Sequence, residues 1–337
     1  MNIQLLLLSL AVLTLSACGG GGGGNSSSSD GNIETTSPGS DNSGSDSDNP
    51  DVAVDNGNSS TTPSQPTPSQ PKPSEPTPAE PDSINQATYY ADAIGETGYS
   101  LKTALSRIIS LGHIDRGYNW VFFNANDRDL YFENDGSILD IYSENPTAAD
   151  PYHYVIASDQ CGNFNSENDC YNREHAFPQS WFDRDYPMRS DVHHLFATDG
   201  FVNSRRSNHP YGNVSSASWT SRNGSKLGNE ASAQFNGTVF EPIDEFKGDL
   251  ARAYFYIATR YENRIANWQG NGTADNVLNG TANQVFDSWH LNLLKAWHQL
   301  DPVSQKERDR NQAAFAYQGN RNPFVDNPQW VNVIWGQ

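Results

Sequence analysis

Apolar and polar positions divide the chain into stretches of different character. Leu5 to Leu15 is an apolar run. It is shorter than the ~20 residues a membrane-spanning helix needs, and it suits the core of an export signal. Between Gly19 and Asp82 large apolar residues nearly disappear. From about Ser83 they return in patterns. Ala251, Tyr254, Phe255 and Ala258 recur at helical spacing, which predicts a helix over 247–263 with one face in the core. A second helix is predicted over 285–298. Asp191 to Phe196 reads as a short strand, and Thr198 or Asp199 offers an N-cap for a helix that carries Asn203. The expected fold class is α+β, with a small strand–strand–helix unit packed among helices.

Composition sharpens the boundary. All 8 Trp and all 15 Phe lie after position 100. The segment 18–82 is rich in Gly, Ser, Asn, Asp and Pro, and it cannot bury enough apolar surface to offset the entropy of ordering. It is expected to be a disordered linker, ending in a Pro-rich stretch from Pro63 to Pro81 that favours an extended spacer. The organisation is then a leader at 1–17, the linker at 18–82, and one globular domain at 83–337.

Charge argues against the simplest nucleic-acid reading. The net charge is −19, and residues 1–85 hold ten acidic side chains against Lys72, which leaves −10 on the domain. Polyphosphate is repelled by such a domain at long range unless a metal and local Arg groups reverse the field at the site.

The leader ends in Leu15-Ser16-Ala17-Cys18, which resembles the lipobox of bacterial lipoproteins, although Met1-Asn2-Ile3-Gln4 lacks the usual basic residue. That resemblance implies cleavage before Cys18, lipidation of its thiol, and attachment to the cell envelope. The incidental-cysteine alternative is an ordinary secretory signal. With Cys18 lipidated, Cys161 and Cys170 remain, and in an oxidising compartment they are expected to pair. No zinc-ligand spacing surrounds them.

Candidate chemistry follows at once: Tyr171-Asn172-Arg173-Glu174-His175-Ala176-Phe177-Pro178, then Asp191-Val192-His193-His194-Leu195-Phe196, then Val202-Asn203-Ser204-Arg205-Arg206-Ser207-Asn208. Neighbours on a strand face opposite ways, so Glu174 and His175 converge only at a strand end, which Pro178 favours. Glu and Asn oxygens suit a hard cation such as Mg²⁺, and an imidazole beside it can deprotonate an attacking water.

These residues resemble the bacterial endonuclease I and periplasmic nuclease family. Two further blocks agree in order: Lys247-Gly248-Asp249-Leu250-Ala251-Arg252 with Thr259-Arg260-Tyr261-Glu262, and Trp297-His298 through Gln318-Gly319-Asn320-Arg321-Asn322-Pro323. The resemblance implies a ββα-metal (His-Me finger) core embedded in a mainly helical domain. It implies Glu174 and Asn203 as metal ligands, His175 as general base, Mg²⁺ as the ion with Mn²⁺ or Ca²⁺ as alternatives, and 5′-phosphate products. The implied partner is DNA, with RNA as a second substrate. The family's phosphate-steadying Arg has no match here; Arg206 is the candidate for that catalytic role, Arg205 and Arg189 are candidates for substrate binding, and Arg184 is a further substitute. The family's Asp-Leu-His-Asn appears as Asp191-Val192-His193-His194, which leaves a role for that Asn without a match.

Two rivals come from other classes. A catalytically silent surface or matrix-binding lipoprotein would keep the fold without hydrolysis. An exported zinc hydrolase would recruit His193 or His194, yet no His-Glu-x-x-His helix is present, and a structural His193 is expected instead. Arg205 and Arg206 can equally be a solvated helix face, and the Asn320–Pro323 stretch reads as a turn.

Overall fold

The computed structural model describes residues Asn85–Gly336. The leader at 1–17, the Cys18 lipidation site and the whole linker expectation at 18–82 lie outside the described residues, as does the start of the domain at 83.

The core is organised around one helix, α4, Lys247–Arg260, buried from Lys247 through Thr259. Its apolar side chains meet α1 (Gly98–Ser110) and α5 (Ser288–Leu300). α1 inserts Leu101, Ala104, Leu105, Ile108 and Ile109, the i, i+3, i+4 rows of a single buried face. The charges of a helix buried on all sides need partners, and α4 finds them within itself and on the neighbouring helix that follows Ser304. Arg252 pairs with Glu307, at 2.5 Å, and with Asp249, while Lys306 bonds Asp249. Glu307 opens α6 (Gln305–Gln318), where Ser304 and Glu307 form a capping box. That helix ends at Gly319, whose φ of 83° only glycine adopts without strain; a Cβ there would lie 2.2 Å from the Gly112 carbonyl. A short helix, α2 (Val121–Asn126), packs on α6.

Against this helical body lie two small antiparallel sheets. β1 (Tyr171–His175) pairs with β2 (Leu195–Asp199), with Glu174 opposite Phe196 and His175 opposite Leu195. β2 runs directly into α3 (Gly200–Arg206), which contacts both strands. The other sheet is a meander of β3 (Val214–Thr220), β4 (Lys226–Glu230) and β5 (Thr238–Glu241). Mixed helices and small antiparallel sheets make the class α+β, as expected.

Three boundaries differ from the sequence reading, each for a local reason. The segment expected as strand from Asp191 begins as a 3₁₀ turn over Val192–His194, because the Asp191 carboxylate accepts the His193 N–H at 3.2 Å and closes a turn. The helix expected over 285–298 starts at Ser288: Val285 has φ of 70° and Phe286 bridges to Leu278, so the chain is still irregular there. The helix expected through 263 breaks at Tyr261 and resumes as the short turn Glu262–Ile265.

Candidate active site

His175 is the last residue of β1, where the strand gives way to the turn at Pro178. Its Nε2 lies 3.0 Å from the Arg189 carbonyl oxygen. A carbonyl only accepts, so Nε2 carries the proton and Nδ1 holds the free lone pair. The ring is clamped between Tyr118, stacked at 5.3 Å between centroids, Phe182 and His194. Burial, with help from the neighbouring His194, holds the imidazole well below its ordinary pKa. That favours the neutral ring, with its lone pair on Nδ1.

Glu174, one residue earlier, is buried with its charge answered from one side. Oε1 meets an Arg206 Nη1 at 2.8 Å and the Tyr142 hydroxyl at 3.2 Å. Tyr142 is in turn bonded to Tyr211 at 2.8 Å. Among the described residues no hydrogen bond reaches Oε2. Burial pushes the Glu174 carboxyl up to about 7 against the opposing pull of Arg206. Burial also works against the Arg206 charge, but Glu174 outweighs it and the guanidinium stays ionised. The adjustable proton of the pair therefore belongs to Glu174.

Asn203 is placed by α3. Asp199 caps that helix, accepting the Val202 N–H at 2.8 Å, as the sequence led one to expect. The amide nitrogen of Asn203 donates to Asn172 Oδ1 at 2.7 Å and approaches Thr198 Oγ1 at 3.4 Å. Both of its donors face protein acceptors, so Oδ1 is the atom left to the cleft. The Cys161–Cys170 disulfide, with Cα atoms 4.8 Å apart, fastens the loop that abuts this helix. Gly200 is required there, because a Cβ would stand 2.5 Å from Cys161 Sγ.

Glu174, His175, Asn203 and Arg206 all line one open cleft of about 470 Å³, together with Tyr118, Trp120 and Arg173. The donors left free in it, a carboxylate oxygen and an amide oxygen, could hold a hard divalent cation.

The arginines are distributed differently from the sequence reading. Arg206 is 1% exposed, and besides Glu174 it serves the carbonyls of His175, at 2.9 Å, and Ala176. Its guanidinium is consumed behind Glu174, so contact with a scissile phosphate does not fit this geometry. Arg205 is exposed on α3 and lies over Phe201 at 4.9 Å and Trp219 at 5.9 Å. Arg189 supplies the carbonyl that orients His175, and its guanidinium lies 5.0 Å from the Tyr118 ring. Arg184 is exposed after a left-handed Asp183.

Arg173 was given no role from the sequence, although it stands beside Glu174. Its guanidinium lies 3.6 Å from the Tyr118 ring and 4.5 Å from that of Trp120. Its Nε and Nη1 have no hydrogen-bond partner among the described residues, and no carboxylate pairs with it there. The signal was its position in the motif, one residue before the carboxylate. His193 and His194 are buried, their Nε2 atoms at 3.0 Å from the Asn320 carbonyl and 2.7 Å from that of Met188. His193 is thus structural, and neither ring lines the cleft.

A model of the Endonuclease I family matches residues 97–329, so the chain belongs to that family and is a nuclease, a hydrolase of phosphodiester bonds. Family members are metal-dependent and act on nucleic acid. Among known proteins, the chain is similar to an extracellular ribonuclease of Bacillus amyloliquefaciens, 34% identical over 258 residues, which cover 75% of this chain and 80% of that one. It is also similar to an extracellular ribonuclease of Bacillus subtilis (strain 168), 33% identical over 74% of this chain and 78% of the relative. A periplasmic deoxyribonuclease of Aeromonas hydrophila is 26% identical over 41% of this chain and 48% of its own length.

Proposed function

We propose that the protein is an exported nuclease that cuts RNA as well as DNA by water attack, with His175 as general base and a Mg²⁺-class ion held by Glu174 and Asn203. The observation that carries this reading is the orientation of His175. With Nε2–H fixed on the Arg189 carbonyl, Nδ1 is the only ring atom free to take a proton, in a cleft shared with Glu174 and Asn203. Glu174 Oε2 and Asn203 Oδ1 would hold the ion, and β1, β2 and α3 would form a ββα-metal core around it. When bound, that ion supplies Lewis-acid stabilisation of charge on the phosphate.

The remaining work falls to the chain's own residues. His175 Nδ1 accepts the proton of the attacking water. Arg173, held flat against Tyr118 and Trp120 with Nε and Nη1 buried, bonds a phosphate oxygen through its remaining Nη2 group. Arg189, whose guanidinium lies 5.0 Å from the Tyr118 ring, adds charge nearby. Arg206 positions Glu174 and does not touch substrate. Attack by an external water makes no use of a 2′-hydroxyl, so RNA and DNA are both substrates, and departure of the 3′ oxygen leaves 5′-phosphate ends. RNA cutting is further favoured by the ribonuclease relatives, which match most of this chain. Export is favoured by the extracellular relatives and by the Cys161–Cys170 disulfide; lipidation of Cys18 would tether the enzyme to the envelope.

The test is digestion of plasmid and of ribosomal RNA by the purified protein with Mg²⁺, Mn²⁺ or Ca²⁺, beside EDTA and His175→Ala controls. Cleavage abolished by both controls is expected. Intact substrates under all three metals, or undiminished cutting by His175→Ala, would overturn the reading.

A further inference from the structure

Among residues that do not line the cleft, three carboxylates crowd together. Asp129, Glu133 and Glu144 each offer an oxygen, and these oxygens all lie within 4.8 Å of one another. Glu133 is exposed; Asp129 and Glu144 are buried.

Glu144 is the informative member. Its side chain is 1% exposed, and its Oε1 is buried without a hydrogen-bond partner among the described residues. None of the ion pairs among the described residues includes any of the three. A carboxylate taken out of water without hydrogen bonds or counter-charge costs several kcal/mol, on the order of the penalty for any unpaired buried ion. Asp129, by contrast, is held rigidly: Oδ1 accepts the N–H groups of Tyr131, at 3.2 Å, and Phe132, at 3.0 Å, and Oδ2 accepts that of Asn134, at 2.9 Å. A fixed carboxylate, an orphaned buried one and a solvent-facing one thus lie within 4.8 Å of one another.

We infer that Asp129, Glu133 and Glu144 form a calcium site separate from the catalytic cleft. Calcium–oxygen distances of about 2.3–2.6 Å keep any two ligands of one ion within roughly 4.6–5.2 Å, so oxygens within 4.8 Å of one another are compatible with a single bound calcium. Magnesium, at about 2.0–2.1 Å, demands a tighter octahedron and is seldom caged by protein carboxylates alone. The exposed side of Glu133 leaves room for the waters that complete a calcium shell. The ion would tie the 129–137 loop to the segment at 140–145. In that segment Tyr142 reaches Glu174, so the clamp also steadies the rear of the active site.

The test uses the full chain carrying Glu174→Gln, Asn203→Ala and Arg206→Met, which removes the cleft ligands together with the charge that the loss of Glu174 alone would leave buried. After EGTA treatment it is titrated with CaCl₂ by calorimetry and by thermal unfolding. One calcium per chain and a calcium-dependent rise in Tm are expected. Adding Glu144→Gln should abolish both. Adding Glu133→Gln, an exposed change that leaves the fold intact, should weaken calcium at least about tenfold. Absence of calcium binding in the parent background, unchanged binding in the Glu133→Gln variant, or equal affinity for Mg²⁺ would each overturn the assignment. Because binding and Tm are read without substrate, these results are independent of the nuclease mechanism.

Discussion

Replacing Arg206 with Met separates a positioning role from a phosphate-binding role, because the two predict opposite effects on stability. The guanidinium is buried, pairs with Glu174 at 2.8 Å and serves two backbone carbonyls. Removing one partner of a buried pair typically costs about 3–5 kcal/mol, since the other charge is left uncompensated. For a domain of this size each kcal/mol moves Tm by roughly 2–4 °C, so Arg206→Met should lower Tm by on the order of 10 °C. A second consequence follows from the proton balance. Burial already pushes Glu174 up to about 7 with Arg206 in place; without it the carboxyl rises further. Metal affinity in the variant should therefore collapse near neutrality and recover as pH increases. The decisive measurement is thermal unfolding of Arg206→Met, Glu174→Gln and the double variant, without metal. Removing both charges should be less harmful than the two separate losses added together, with a coupling of about 1–3 kcal/mol. An Arg206→Met protein with parental Tm and strictly additive behaviour in the double variant would refute the positioning role and return the guanidinium to the substrate.

Three other outcomes are expected. Arg173→Ala should weaken substrate binding while leaving Tm unchanged, and should reduce the slope of log affinity against log salt by about 0.7–0.9, the signature of one lost phosphate contact; an unchanged slope would remove Arg173 from the phosphate path. Replacing Cys161 and Cys170 together with Ser opens a loop of sequence separation 9 and should cost about 2.5 kcal/mol by chain entropy, read from urea unfolding with and without reductant; a parental midpoint would show the bridge to be dispensable. Burial opposes the charge of Asp191, but the imidazoles of His113, His193 and His194 and a hydrogen bond from Gln318 outweigh it and hold the carboxyl below its ordinary range. Its folded value is thus depressed below an unfolded value of about 3.9. The stability it contributes is present above that value and is lost as pH falls through the lower folded one. Asp191→Asn should accordingly flatten the acid limb of stability against pH, and an acid limb identical to the parent's would rule this carboxylate out as its source.

The parts of this molecule legible in the sequence are those where one residue type has one job. A helix cap at Thr198 or Asp199, and the apolar rows of α4, are readable because local backbone chemistry leaves few alternatives. The roles of the arginines were not. Arg205 and Arg206 are neighbours on α3 with the same chemistry, yet one is exposed over Phe201 and the other buried behind Glu174. Only the direction of the helix against β1 decides which. The same holds for Tyr142 and Tyr211, which support Glu174 from positions 32 residues before it and, through a further contact, from beyond α3. The β3–β5 meander was also hidden, because β3 is largely exposed and shows no alternation of apolar and polar positions.

The net charge of −10 on the domain, the strongest objection to a nucleic-acid substrate, loses force once the charges are located. Coulomb interactions between exposed groups fade over about 8–10 Å at physiological ionic strength, so the substrate responds to the charges that line the cleft more than to the total. Those charges are Arg173, Arg206 and a single carboxylate, Glu174. Arg206 and Glu174 neutralise each other, which leaves Arg173 in excess, with Arg189 close to Tyr118. A divalent ion on Glu174 and Asn203 would then make the cleft strongly positive within a negative surround. Such a surface does not hold polyphosphate at arbitrary places. On the proposed mechanism it would accept the backbone only where a phosphate meets the ion, Arg173 and the Nδ1 side of His175 together, so the net negative charge would confine binding to the place where hydrolysis can occur.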